Sequence, residues 1–199
     1  MSRWRQGGMA MIVVLALAGC ASDRQRIEAI QAVNGAFRTD YEAILAEQGT
    51  RVFKLRRDEA FTSMRVALAG LGMLTETHDS SLGYLVVSSK APLPLTAEEW
   101  KAVVVADQPL LHKLIEPYVG PAAWFVHFEP QGLDIVLSAS FVGAGGGTEI
   151  AITVRFRETA PPRSGWPRRE YLPPTAVRTG LAKIWAAFEQ EIRAGPQRN

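Results

Sequence analysis

The lone cysteine of this 199-residue chain, Cys20, is the feature that most restricts how the chain can fold. A single cysteine cannot form a disulfide within one chain, so burial of apolar side chains has to hold the native state together. Hydrophobic residues make up 47% of the sequence, which is enough for the core of one domain. The sequence therefore predicts one domain, with room for a tether, and no disulfide within the chain.

The segment before Cys20 has the three parts of a secretory signal. Arg3 and Arg5 form a basic start, residues 9–18 form an apolar run, and small residues lead up to the cysteine. A membrane-spanning helix needs about 20 apolar residues, and this run is shorter. The sequence therefore predicts export, with residues 1–19 as the signal peptide.

The end of this leader, Leu17-Ala18-Gly19-Cys20, resembles the lipobox of bacterial lipoproteins. In that family the cysteine thiol is alkylated with a diacylglyceryl group, the signal is cut just before the cysteine, and the new amine is acylated. The resemblance implies lipidation of Cys20 as the covalent anchor. Two or three acyl chains hold a protein durably, since each buried methylene contributes ~0.8 kcal/mol.

The residues that follow the cysteine bear on which membrane holds the protein. In enteric bacteria an Asp directly after the lipidated cysteine resembles an inner-membrane retention signal, and here Ala21 and Ser22 come first. The resemblance therefore implies the outer membrane with the domain facing the periplasm. Anchoring to the periplasmic face of the inner membrane is the alternative.

The charge balance of the chain limits its partners. The whole sequence has 22 basic and 20 acidic residues, and removal of Arg3 and Arg5 with the leader leaves equal numbers of each. Nucleic-acid binders need a basic excess to displace counterions from phosphates. We therefore expect no nucleic-acid partner, and no strong electrostatic attraction to anionic lipid.

After the cysteine, the sequence divides into a helical tether, residues 20–49, and one domain, residues 50–195. Ser22 and Gln25 have the spacing of a capping box, and residues 22–48 are typical of a helix that Gly35 divides. Its apolar face favours packing on the domain over contact with the membrane or a partner.

The domain itself predicts an α+β fold, an antiparallel sheet of about five to six strands with helices packed on one face. The predicted strands are residues 51–55, 73–78, 84–89, 124–129, 133–142 and 148–158. The predicted helices begin at Asp58 and at Thr96, the second interrupted at Pro109 and ending near Pro117, and a strongly amphipathic last helix spans 177–192.

The order of these elements over residues 50–192, with the segment 76–87 as a hairpin, resembles the helix-grip domains of envelope lipoproteins. The C subunit of the outer-membrane β-barrel assembly machinery is one member. The resemblance implies a helix-grip-like sheet closed by the last helix. Residues 96–120 have no counterpart in it.

No stretch of the sequence predicts catalysis, a metal site or a cofactor other than the lipid. The glycine-rich residues 143–148 precede a strand and not a helix, so they predict a hairpin turn and not a phosphate-binding loop. The three histidines, His78, His112 and His127, lack the spacing of metal ligands. No serine has a recognisable His or carboxylate partner.

A proline-bounded loop with aromatic and cationic residues is the predicted partner-binding segment. It contains Trp166, Arg168, Arg169 and Tyr171, residue types that concentrate at binding hot spots. The alternative is that its aromatic rings simply cover the last helix. By contrast, three other tryptophans fall on apolar faces and are expected in the core: Trp100, Trp124 and Trp185.

These observations leave three functions open. The sequence favours a membrane-anchored protein without catalysis that binds an envelope protein and supports assembly. The second is a module that binds a lipid or another apolar ligand in a cleft between the sheet and the last helix. The third is an enzyme whose dispersed site no motif reveals.

Overall fold

The computed structural model describes residues 22–159 and 167–195. The predicted signal peptide, the lipidation site Cys20 and Trp166 lie outside these ranges. The elements, in chain order, are α1 (Asp23–Gln48), β1 (Thr50–Phe53), α2 (Arg57–Gly70), β2 (Leu74–Asp79), β3 (Tyr84–Lys90), α3 (Ala97–Val119), a 3₁₀ helix (Gly120–Phe125), β4 (Leu133–Ala144), β5 (Gly147–Glu158) and α4 (Pro174–Ala194).

The five strands form one antiparallel sheet in the order β1-β5-β4-β3-β2. Alternating side chains of the long strands β4 and β5 are buried and the intervening ones are more exposed, so one face of the sheet carries the core. The predicted α+β class with an antiparallel sheet, covered by helices and preceded by an N-terminal helix, is confirmed.

The last helix, α4, closes this core with its apolar stripe. The buried side chains of that stripe are Val177, Leu181, Ile184, Trp185 and Phe188. The indole N–H of Trp185 donates a hydrogen bond of 2.8 Å to the carbonyl of Gln48, the last residue of α1. The amphipathic pattern predicted for this helix is therefore confirmed. The hydrogen bond of Trp185 joins α4 to the end of α1.

Both predicted hairpin turns are confirmed. In the β2–β3 turn, Asp79 Oδ1 accepts hydrogen bonds from the backbone N–H groups of Ser81 and Leu82. Gly83 closes this turn with a φ of 72°, and a Cβ there would lie 2.5 Å from the carbonyl oxygen of Phe141. The glycine-rich segment is the β4–β5 turn, in which Gly146 has a φ of 103°.

The helix α1 belongs to the core of the domain. It continues through Gly35 without the predicted division, although a helical glycine costs roughly 0.5–1 kcal/mol relative to alanine. Burial of Phe37, Tyr41 and Ile44 in the main core offsets that cost.

The prediction for residues 124–129 was wrong. Aromatic and β-branched residues favour a strand locally, but this run ends a 3₁₀ helix and continues as an irregular segment. Phe128 alone among these six residues is buried. Trp124, predicted in the core, is 66% exposed, whereas Trp100 and Trp185 are buried as predicted.

The predicted interruption at Pro109 was also wrong, because α3 is one helix from Ala97 to Val119. Proline lacks the N–H that would bond the Val105 carbonyl, which normally destabilises a helix interior. Pro109 and Val105 both lie on the exposed side of α3, where water can satisfy that carbonyl.

A buried carboxylate fixes α3 to the start of α4. Asp107 accepts hydrogen bonds from the backbone N–H of Thr175 at 2.8 Å and from its hydroxyl at 2.6 Å. Asp107 thus caps α4 from another helix, satisfying an N–H that has no partner within α4. Burial raises the pKa of Asp107 above its ordinary value, and the two bonds from Thr175 oppose that shift.

We expect Asp107→Ala to lower the free energy of unfolding by about 1–2 kcal/mol, because the N–H of Thr175 loses its acceptor. Asp107→Asn retains an acceptor and should lose less. Since the pKa is raised in the folded state, the contribution of the carboxylate to stability falls as the pH rises above its ordinary pKa of about 4. Denaturant titration at acidic and neutral pH measures both effects.

The exposed Lys101→Ala on the same helix is the matched control and should stay within about 0.5 kcal/mol of the natural chain. Equal stability of Asp107→Ala and Lys101→Ala would contradict the capping role.

Candidate functional site

An apolar groove lies between the first half of α1 and the second half of α3, with a volume of about 210 Å³. The α1 wall presents Ala29, Ile30 and Val33, and the α3 wall presents residues spaced by one helical turn. These are Leu111, Ile115 and Val119. We call this feature the α1–α3 groove.

The floor of the groove is a small core of its own. Ala29, Leu111, Ile115 and Ala123 form a buried cluster separate from the main core of the sheet. The small side chains of Ala29 and Ala123 allow α1 and the 3₁₀ helix to come close to α3. The groove is therefore built by helix packing beyond the sheet and not by the sheet itself.

The segment 167–172, which precedes α4, forms the third wall and is clamped by Asn34 of α1. The Asn34 side-chain amide donates to the carbonyl of Arg168 at 2.8 Å, and its oxygen accepts from the N–H of Glu170 at 3.1 Å. Asn34 thus pairs with this segment as a neighbouring strand would. The clamp holds the segment along the edge of the groove.

The structure brings two residues of the predicted partner-binding segment to the groove. Arg169 and Tyr171 line it. The guanidinium of Arg169 pairs with Glu158 at 2.7 Å and lies 5.4 Å from the centre of the Phe128 ring. Arg168 lines the hollow beside β5 and contributes its carbonyl to the clamp, and Trp166 lies outside the described residues.

The opposite rim is held by Gln108 of α3, a residue that no sequence pattern singled out. Its amide nitrogen donates to the carbonyl of Val126 at 2.7 Å and contacts His112, and its oxygen lies 3.2 Å from Nδ1 of His127. Two of the three histidines therefore meet at one glutamine. The third, His78, lies on β2 beside Phe61.

This rim continues into three consecutive exposed apolar residues, which we call the aromatic tip. Trp124, Phe125 and Val126 are 66%, 83% and 40% exposed. The ring of Trp124 lies 4.7 Å from that of His112, so the tip is supported from below by α3. A signal for it was present in the sequence as adjacent Trp and Phe, but local propensity interprets them as part of a strand.

The space between the sheet and α4, the predicted place for an apolar ligand, is almost filled. The cavity there is about 20 Å³, room for about one water molecule. Another hollow, of about 390 Å³, lies between β5 and the segment 168–172, and its lining alternates charged and apolar side chains. The α1–α3 groove is larger than the apolar space under α4.

Within residues 22–159 and 167–195, no three His, Cys, Asp or Glu side chains are placed to hold a metal ion. In the same ranges, every helix is too short or too polar to cross a membrane.

No protein-family model, curated protein or solved structure matches this chain. The resemblances to bacterial lipoproteins and to helix-grip domains therefore stay predictions.

We expect Asn34→Ala to release the segment 168–170, because both of its hydrogen bonds are lost. Hydrogen exchange at the N–H of Glu170 should accelerate by about tenfold, the equivalent of a hydrogen bond worth about 1.4 kcal/mol. Asn34→Asp is the matched control, since its carboxylate still accepts from Glu170. Unchanged exchange in Asn34→Ala would show that other contacts hold the segment.

Proposed function

We propose that the chain is a lipid-anchored protein of the bacterial cell envelope that binds an apolar segment of a partner protein in the α1–α3 groove. The proposed anchor is Cys20, which places the domain on the periplasmic face of the outer membrane. The proposed role is binding in assembly or maintenance of the envelope, and it includes no reaction.

The observation that carries this proposal is the apolar groove of about 210 Å³. A closed apolar cavity of ~150 Å³ is enough to hold benzene. The α1–α3 groove therefore has room for one or two apolar side chains of a partner. Amphipathic helices are recognised in this manner, by side chains one turn apart that enter an apolar groove.

The edge of the groove supports recognition of a protein. Tyr171 and Arg169 are residue types that dominate the free energy of binding at interfaces. Arg169 is already held by Glu158 and Phe128, so little side-chain entropy is lost when a partner binds.

The position of the proposed anchor also favours binding at a membrane. Arg26, which lines the groove, is only six residues from Cys20. A lipid on that cysteine would confine the groove to a thin layer above the bilayer, which raises its effective concentration toward other membrane proteins.

A second candidate, binding of a lipid or another apolar molecule, is favoured by one feature. Arg26 lies at the edge of the apolar walls, an arrangement that suits an acyl chain with an anionic head group. This candidate places the ligand in the α1–α3 groove and not in the filled space under α4.

Lipidation is tested by Cys20→Ser in a bacterial host. We expect unprocessed precursor and loss of labelling by a fatty-acid analogue, because the hydroxyl cannot replace the thiol as the acceptor of the lipid. Ser22→Ala, two residues away, is the control and should mature normally. Normal maturation of Cys20→Ser would refute the anchor.

Groove binding is tested by a photoreactive amino acid at Val33, compared with the same group at Val105 on the exposed side of α3. We expect a defined protein adduct from position 33 in intact cells and none from position 105. Ile30→Arg should abolish the adduct by placing a cation in the groove, while its partial exposure lets the charge reach water.

Val105→Arg, at a residue already 69% exposed, is the matched control and should leave the adduct from position 33 unchanged. A lipid adduct at position 33 would favour the second candidate. Equal adducts at both positions, or none at either, would reject the groove as the binding site.

A further inference from the structure

We propose that the aromatic tip, Trp124 to Val126, inserts into the same bilayer that holds the lipid anchor and thereby fixes the orientation of the domain on the membrane. This inference rests on the anchor of the proposed function. It adds a second contact with the membrane and keeps the groove in the thin layer above the bilayer, where the domain can bind other membrane proteins.

The first support is the degree of exposure. Isolated exposed apolar side chains are common on soluble proteins, and Val52, Leu74 and Val105 are examples here. Trp124 and Phe125 differ, because they are adjacent and are 66% and 83% exposed. A contiguous exposed apolar patch marks a surface that contacts a protein or a membrane.

The second support is that the exposure is built into the structure. Ala123 is 1% exposed and anchors the 3₁₀ helix to α1 and α3. Gln108 holds the carbonyl of Val126 at 2.7 Å, and the His112 ring lies beneath Trp124. The tip is therefore held outward before any contact, which lowers the entropic cost of insertion.

The third support is the place where the preceding chain ends. Val126 of the tip and Arg26 of α1 line the same groove, and Cys20 is six residues before Arg26. Six residues reach about 20 Å even when fully extended. A bilayer that holds acyl chains on Cys20 therefore lies within about 20 Å of Arg26, at the groove that Val126 also lines.

The chemistry of the tip matches a bilayer better than a protein partner. Trp is enriched at the level of the lipid head groups, and Phe is favourable deeper in the interface. The side chains of the tip project into solvent, with Phe125 83% exposed, whereas the apolar anchors of protein partners enter concave pockets such as the neighbouring groove. Because Trp124, Phe125 and Val126 carry no charge, insertion of the tip should not depend on salt.

The test uses the lone cysteine of the chain. With Cys20 acylated, Phe125→Cys introduces a single free thiol for a nitroxide label, and the lipidated protein is placed in vesicles of phosphatidylethanolamine and phosphatidylglycerol. Electron paramagnetic resonance then compares collisions with oxygen, which enters the bilayer, and with a nickel chelate, which stays in water. We expect an oxygen-to-nickel ratio severalfold higher at position 125 than at the control position.

The control is Leu82→Cys, at a leucine that is 71% exposed in the β2–β3 turn. In this turn the carbonyl of Gly83 accepts a hydrogen bond from the N–H of Phe141, near the end of β4. Phe128, three residues after position 125, packs on Phe156, which pairs with the start of β4. Ile135, the β4 partner of Phe156, and Phe141 are six residues or about 20 Å apart, so the two labels lie toward opposite ends of that strand. The ratio at position 82 should be that of a water-exposed label.

A second measurement uses the natural tip, in which Trp124 and Phe125 are both present. Bromine on the lipid acyl chains should quench the fluorescence of Trp124, so Trp124→Phe should remove most of the quenchable signal. Trp100→Phe, at a tryptophan only 6% exposed, should leave the quenching unchanged. Both the accessibility ratio and the quenching should be the same at ~0.1 M and ~1 M salt.

The outcomes separate this inference from the proposed function. Mass spectrometry of each sample shows whether Cys20 is acylated, and an unmodified cysteine would refute the proposed lipid anchor. Acylated protein with a water-exposed label at position 125 and no quenching of Trp124 overturns insertion of the tip alone. A label shielded from both oxygen and nickel, in intact membranes, also overturns it, because a protein then covers the tip.

Discussion

The packing of α4 across the sheet, centred on Trp185, is the interaction on which the other elements depend. The indole is buried beside Phe53 and Phe188, and the Arg51 guanidinium lies 5.0 Å from the ring centre. Its N–H holds the Gln48 carbonyl, which fixes the end of α1 where the chain turns into β1. That one side chain therefore joins the core, α4 and the end of α1, the helix whose first half forms one wall of the groove.

The groove and the aromatic tip lie on a separate part of the domain. Their support is the small cluster around Leu111 and Ile115, which is distinct from the core beneath the sheet. Asp107 and the ion pair between Lys183 and Glu99, at 2.6 Å, hold α3 to α4 so that its second half reaches beyond the sheet. Val33 and Leu114 pack against both clusters and join them, while the exposed apolar side chains at this end belong to neither.

Periodicity predicted most of the fold, because strands of the sheet and the stripe of α4 show their pattern within a few residues. The hairpin at Asp79 and Gly83 was likewise visible from its turn residues. The prediction failed at residues 124–129, where strand propensity is high but the chain has just left α3. It failed at Pro109 as well, since solvent exposure of that helix face cannot be read from spacing.

The sequence by itself determined the periodic pattern of the helices and strands, the charge balance and the apolar run that precedes Cys20, since each is a property of composition or of neighbouring residues. Only the tertiary structure decided the site. Asn34 meets Arg168 across 134 positions, Asp107 meets Thr175 across 68, and Gln108 meets Val126 across 18. Each contact is a polar side chain bonded to a distant backbone group, which leaves no periodic pattern. Hydrophobic patterning identifies a face, whereas the groove exists because helix packing brings three distant segments together.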